Sequence, residues 1–252
     1  MPTPALPHFV FLTGAGMSAE SGVPTFRDGL TGLWSRFDAQ TLATPEAFRR
    51  DPALVWGWYR WRAWQLLRVH PNAGHDAIAA LARRGYRVDV VTQNVDDLHE
   101  RAGSRGVAHL HGELLRSRCI DCGARRHPDP ITHDLAPPAE GGRETPPSCA
   151  ACGGAFRPDV VWFGEALPQA QWDTALEAIA ACDRVVVVGT SGLVQPAASL
   201  PGLARDLGKP VLEINPVPSA LTPSADDYWP MTASAGLARL LASCASEPSP
   251  GA

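Results

Sequence analysis

Short apolar runs punctuate the chain at His8–Leu12, Arg87–Thr92, Arg184–Gly189 and Pro210–Asn215, and each ends in a small or polar turn. The last three follow helical-looking stretches. Buried strands that alternate with helices predict a doubly wound parallel α/β sheet, whose ligands sit beyond the carboxyl ends of its strands. Two stretches break the alternation. Residues 28–70 hold no buried strand but a helical region rich in tryptophan (Trp56, Trp58, Trp61, Trp64), and residues 116–158 carry four cysteines and an arm from Pro128 to Pro147. The expected organisation is a single unit over residues 1–252. A nucleotide-type domain takes 8–27, 71–115 and 159–242; a small lobe has a helical part at 28–70 and a cysteine part at 116–158.

With 252 residues, 45% apolar and 19% charged, the chain is long enough for one sizeable core and a satellite lobe. A net charge of -4 supplies no broad basic field, so no specific nucleic-acid partner is expected. No stretch approaches the roughly 18 apolar residues of a membrane span, which excludes a spanning helix. The start, Met1 to Pro7, is proline-rich and uncharged, unlike a signal peptide, and a cytoplasmic location is expected. The oligomeric state is not fixed by the sequence, which is compatible with a monomer.

Cys119-Ile-Asp-Cys122 and Cys149-Ala-Ala-Cys152 form two CxxC knuckles. Two thiolates two residues apart in a tight turn grip one Zn²⁺ together, and a second knuckle completes a tetrahedral sulfur shell. Such a shell is closed, so one structural Zn²⁺ would hold the lobe while chemistry happens elsewhere. Two disulfides, or a redox pair, are the alternatives. Cys182 and Cys244 stand outside the knuckles.

Gly14-Ala15-Gly16-x-x-Ala19 is close to the dinucleotide fingerprint of a Rossmann-like fold, in which glycines let the backbone approach a pyrophosphate. A dehydrogenase should then show a second strand ending in an acidic residue about 20 residues on. That position falls in the polar, strandless stretch Arg36–Gln40, which keeps the nucleotide and argues against hydride transfer. Thr92-Gln93-Asn94-Val95-Asp96-Asp97 crowds amides and carboxylates at a strand end. In Leu110-His111-Gly112-Glu113 a neutral imidazole precedes a glycine and can take a proton from a hydroxyl at working pH. His109, two residues away, is expected to pack or bond locally.

Taken in order, Gly14–Arg27, Thr92–Asp96, His111-Gly112, the two knuckles, Val161-Trp162-Phe163-Gly164-Glu165 and Gly189-Thr190-Ser191 resemble the sirtuins, the NAD-dependent protein deacylases. The resemblance runs from about residue 8 to 240. It implies that Gly14, Ala15, Gly16, Thr25, Phe26 and Arg27 cradle NAD, and that Gln93 faces a ribose. Asn94 and Asp96 would hold the nicotinamide carboxamide, Asn94 thereby joining His111 in catalysis. Gly189, Thr190 and Ser191 would meet phosphate and ribose, with Asn215 near the adenosine and Ala233 in the terminal turn at the adenine. The implied reaction has the acyl oxygen attack the ribose carbon as nicotinamide leaves. His111 then relays a proton from a ribose hydroxyl, and water completes release of free lysine and 2′-O-acyl-ADP-ribose. An acyl-lysine peptide or protein would bind in extended form along Val161, Phe163, Gly164 and Glu165.

Tyr59 and Arg62 are spaced i, i+3 and share a face on a helix, where a phenol beside a guanidinium can bind a carboxylate. This Tyr-x-x-Arg, after Ala43-Thr44-Pro45, resembles the sirtuin branch that prefers succinyl- and malonyl-lysine. Arg60 points elsewhere and is expected to be a neutral comparison. The alternatives within the family are a plain deacetylase or an ADP-ribosyltransferase. Outside it stand an NAD-linked oxidoreductase and a zinc-ribbon nucleic-acid module.

Overall fold

The computed structural model describes residues 6–23, 39–132 and 142–244. Among them, six strands form one parallel sheet: β1 (His8–Thr13), β2 (Arg87–Thr92), β3 (Ala108–His109), β6 (Arg184–Val188), β7 (Val211–Ile214) and β8 (Asp227–Trp229). Two more, β4 (Gly112–Cys119) and β5 (Phe156–Val160), pair antiparallel in a separate ladder. The main sheet runs in the order β3-β2-β1-β6-β7-β8, a doubly wound arrangement that reverses direction between β1 and β6. Thr13 pairs with both Thr92 and Val188, so three strand ends finish level at that reversal.

The central strands are mostly apolar because both faces are covered. All six residues of β1 are buried. Phe9 and Phe11 face one core together with Val186 and Val188, under helices α5 (Ala73–Arg83) and α9 (Ala233–Ser243). Val10 and Leu12 face the other with Val185 and Val187, under α7 (Gln169–Ala181) and α8 (Leu200–Asp206). The two-residue period of a strand divides its side chains between these cores.

The small lobe starts from local signals. Thr44 and Asp51 cap α3 (Pro45–Arg50) and α4 (Pro52–Leu66), each accepting a backbone N–H two or more residues into its helix, and each helix has proline in its first turn. A shorter helix, α2 (Ala39–Leu42), precedes them. The apolar positions of α4 run all round it. Trp56, Trp58 and Tyr59 are buried in one core with Phe48, Phe156, Trp162, Cys119 and Cys149, so the helical and cysteine parts are packed as a single body. β4 and β5 each run across a division expected at 115/116 and 158/159, and their ladder is what joins the two parts of the chain. No helix among the described residues is long and apolar enough to cross a membrane.

Candidate active site

The level strand ends carry the glycine turn. Gly14 donates to the Val188 carbonyl at 3.0 Å and Gly16 to the Gly189 carbonyl at 2.8 Å. Gly189 has φ +62°, and a Cβ there would stand 2.4 Å from the Met17 nitrogen. A Cβ on Gly16 would lie 2.7 Å from the Gly189 Cα, so the two glycines let the β1 and β6 turns interlock with bare backbone at the mouth. Around it stand the Thr190 hydroxyl, which accepts from Gln93 Nε2 at 3.1 Å, and Asn215, whose amide donates to the Thr190 carbonyl at 2.9 Å. Ala15 is exposed at the rim, and Ser191 is partly exposed beside it. Ala233 begins α9 and packs in the core beneath the sheet. Thr25, Phe26 and Arg27 lie outside the described residues.

A buried corner of amide and carboxylate adjoins this turn. Asn94 Nδ2 donates to the Gly14 carbonyl (3.0 Å) and to Ser18 Oγ (3.1 Å), and Ser18 Oγ in turn donates to Asp96 (2.9 Å). Burial pushes the Asp96 carboxyl above its usual range, opposed by the bonds from Ser18 and the Leu98 N–H. Ser18 stands out little in the sequence. Its signal is its place two residues past Gly16, in the first turn of α1 (Gly16–Ala19), which lays its hydroxyl against Asn94.

His109 and His111 behave differently. His111 Nδ1 bonds the Gln93 carbonyl at 2.9 Å, which makes Nδ1 the donor and leaves Nε2 as the basic nitrogen. Burial lowers its pKa, with that bond opposing, so His111 is neutral at physiological pH. His109 instead faces two acceptors, Glu100 Oε1 at 2.8 Å and the Asn94 carbonyl at 3.1 Å. Burial works against its charge, but Glu100 and Asn94 outweigh it and the pKa is raised. His109 therefore bonds locally, as its sequence setting predicts. Deeper still, His99 of α6 (Leu98–Ala102) donates to Thr13 Oγ at 3.0 Å, and its ring packs 4.8 Å from that of His75.

Tyr59 and Arg62 share a face of α4, as their spacing predicts. Tyr59 is 2% exposed, accepts a hydrogen bond from Trp162 Nε1 at 3.0 Å, and is pushed up to about 12 by burial. Burial lowers the pKa of Arg62, countered by Tyr59 and Asp96, so this guanidinium lies within electrostatic reach of both. Arg60 is no neutral comparison. It is buried, pairs with Glu144 at 3.2 Å and donates to the Ile131 carbonyl at 2.8 Å, pinning the cysteine arm to α4.

Val161 to Glu165 cross between the lobes. Val161 N–H donates to the His111 carbonyl (2.8 Å) and Phe163 N–H to that of Ala43 (3.0 Å). Phe163 is 45% exposed and Gly164 takes φ +88°. Glu165 faces inward instead: its carboxylate takes Arg157 at 2.5 and 2.9 Å and the Trp162 N–H at 2.9 Å, so it shapes this segment from within.

The metal-binding character of the knuckles is legible in their geometry. The four sulfurs all lie within 4.8 Å of one another, and Cys119–Cys152, Cys122–Cys152 and Cys122–Cys149 are 3.5, 3.4 and 3.8 Å apart. A disulfide needs about 2.05 Å, whereas sulfurs at the corners of a zinc tetrahedron with bonds of about 2.3 Å stand close to the observed spacing. Backbone N–H groups at Cys122 and Asp121 draw the Cys119 thiol down to about 7. Although Gly154 N–H favours its thiolate, Cys152 is pushed up to about 12 by the sulfurs of Cys122 and Cys119. Four thiolates at this spacing need a cation, and these residues fit one structural Zn²⁺.

Fold and site together define a Rossmann-type dinucleotide-binding protein with a zinc-stapled lobe over its strand ends. The pattern of the Sir2 family matches residues 14–196. The chain is 58% identical over 211 residues to NAD-dependent protein deacylase 1 of Pseudomonas aeruginosa, covering 84% of each, and 53% identical to NAD-dependent protein deacylase 2 of Pyrobaculum aerophilum, covering 93% of this chain and 90% of that one. Among solved structures it resembles a Sir2 homolog–NAD complex with a TM-score of 0.85 and 44% identity, over 94% of this chain and 89% of the other. The protein belongs to the sirtuin (Sir2) family.

Proposed function

We propose that this protein is an NAD-dependent protein-lysine deacylase acting on extended acyl-lysine peptides. One observation carries the reading: the neutral His111, with Nε2 free to accept a proton, is bonded to Gln93 of the same turn whose Asn94 and Asp96 form the buried polar corner beside the glycine cradle. NAD, when bound, supplies an electrophilic ribose carbon and a nicotinamide leaving group.

In this reading Gly14, Gly16, Gly189, Thr190 and Ser191 receive phosphates and ribose, with Ala15 and Asn215 at the edge. Asn94 and Asp96 face the carboxamide, and Ser18 fixes their orientation. Gln93 turns a ribose hydroxyl toward His111, which accepts its proton at Nε2. Val161 to Gly164 offer backbone to a peptide strand, a recognition mode that reads side chains weakly. The thiol cluster needs reducing surroundings, which supports a cytoplasmic setting.

We further propose a preference for succinyl and malonyl groups, supported by a protonated Tyr59 and a charged Arg62 in an apolar wall of Trp58 and Trp162. Desolvated acyl carboxylates need a cationic partner, and hydrogen bonds to charged groups contribute roughly 1.5–3 kcal/mol. Acetyl-, malonyl- and succinyl-lysine peptides, incubated with and without NAD, test both parts. The expected result is NAD-dependent nicotinamide release matched by free lysine, with Arg62→Met lowering kcat/KM on succinyl-lysine about 10- to 100-fold while largely sparing acetyl-lysine. Formation of NADH, or no deacylation of any peptide, would refute the reaction. Parallel loss on both acyl groups would refute the preference.

A further inference from the structure

Tyr59 is buried, yet its phenolic proton has no acceptor among the described residues. Its oxygen takes the Trp162 indole N–H at 3.0 Å. An indole nitrogen only donates, so the direction of this bond is unambiguous: Tyr59 is the acceptor, and its own O–H must donate elsewhere. A phenol O–H lies in the ring plane with two opposite orientations. The indole occupies one side of the oxygen, which leaves the proton the other.

Trp162 is itself held firmly. Its ring stacks under the Arg157 guanidinium at 3.3 Å from the ring centre and against Phe48 at 5.3 Å. Arg157 is clamped by Glu165, which also accepts the Trp162 backbone N–H. On the preceding residue, Val161 N–H is bonded to the His111 carbonyl. The segment after β5 that flanks His111 thus reaches, through one side chain, the hydroxyl of the Tyr-x-x-Arg pair.

We propose that Trp162 is a positioning residue for acyl choice: its indole N–H fixes the Tyr59 hydroxyl as a donor aimed at an acyl carboxylate, and links that donor to the segment that receives the peptide. The inference rests on the acidic-acyl reading above and adds a residue to it. An unused buried donor is unfavourable until a ligand accepts from it. A carboxylate would do so, whereas the methyl group of an acetyl substrate would not. Acidic acyl groups would therefore gain from a hydroxyl already turned toward them.

Trp162→Phe keeps an aromatic ring against Phe48 and Arg157 but removes the N–H. It should raise KM for a succinyl-lysine peptide and lower kcat/KM about two- to tenfold, the worth of one neutral hydrogen bond, with a much smaller change on acetyl-lysine. In a Tyr59→Phe background the same change should cost succinyl-lysine nothing further. Trp162→Leu, which loses the stacking as well, separates packing from polarity: it should lower both substrates and the melting temperature. Equal losses on the two acyl groups with Trp162→Phe, or additive losses in the double variant, would overturn the proposal. Arg62→Met, run alongside, distinguishes the two failures. If it leaves the succinyl-to-acetyl ratio unchanged, the acidic-acyl reading falls and the role of Trp162 with it; if it lowers the ratio while Trp162→Phe does not, only the role of Trp162 falls.

Discussion

The strand ends of β1 and β6 and the aromatic lobe around α4 make their polar surfaces in opposite ways. At the strand ends the chain removes side chains: Gly14, Gly16 and Gly189 let two turns interlock with bare backbone at the mouth. In the lobe the chain adds them, with Trp58, Tyr59, Arg62, Trp162 and Arg157 stacked around one phenol and two guanidinium groups. A site for a constant ligand such as a dinucleotide can be made of backbone, whose geometry barely varies. The acyl preference proposed for the lobe would need donors and charges whose identity can change.

The comparison predicts that the two regions fail separately. Cys119→Ala should remove bound zinc and, with it, roughly 10 kcal/mol or more of coupled binding and folding energy in the lobe. Hydrogen exchange should show β4 and β5 losing protection while β1 and β6 keep theirs. Loss in step across both sheets would make them one cooperative unit and erase the distinction.

His111→Ala should fall next in size, with a loss of about 10²- to 10⁴-fold in turnover, NAD binding retained and the fold intact. Because burial lowers the His111 pKa, kcat/KM should climb as pH rises through a value below the usual imidazole range and be on its plateau at neutrality. A lone inflection well above neutral pH would point to another base.

Gly189→Ala tests the backbone cradle. A side chain at φ +62° facing the Met17 nitrogen should cost about 2–4 kcal/mol in stability and weaken NAD binding, while zinc content stays at one per chain. An NAD titration at wild-type affinity would show that the interlocked turns tolerate a methyl group.

The smallest effect is a slope with pH. His75 is lowered to about 4 chiefly by burial, and His99 well below its ordinary value by burial and its imidazole neighbours. The folded protein keeps both neutral, whereas the unfolded chain takes up protons below about 6.5. The His75 contribution is fully present above that value and is lost as pH falls toward about 4, by about 1.4 kcal/mol per pH unit, and that of His99 has the same sign. His109 has the opposite sign: its raised pKa stabilises below about 6.5, and that contribution is lost as pH rises through the folded value. Denaturant melts of His75→Asn and His109→Gln between pH 4 and 9 should flatten opposite limbs; a shared limb would contradict the assignment.

Most of the frame is legible in the residues. The four central strands β1, β2, β6 and β7 begin and end within a residue of the apolar runs, because a strand buried on both faces favours apolar positions. The knuckles are legible because metal ligation dictates spacing, and the tryptophan-rich stretch from residue 52 to 66 is the helix its composition predicts. Charged and aromatic side chains are less legible, since their partners come from distant segments. Arg60, expected to be a neutral comparison, pairs with a carboxylate 84 positions away. Glu165, expected at the substrate edge, is taken by Arg157.

What the sequence determined by itself is whatever local sterics and spacing dictate: the parallel sheet, the glycine turn, the sulfur cluster and the shared face of Tyr59 and Arg62. The different proton affinities of two neighbouring histidines come only from the tertiary structure. His109 and His111 lie two residues apart, and each has its Nδ1 on a backbone carbonyl of the same turn. α6 brings Glu100 to the second nitrogen of His109, and among the described residues no such carboxylate reaches His111. A proton's preference depends on burial and on charges a few ångströms away, and those distances exist only once the chain has folded.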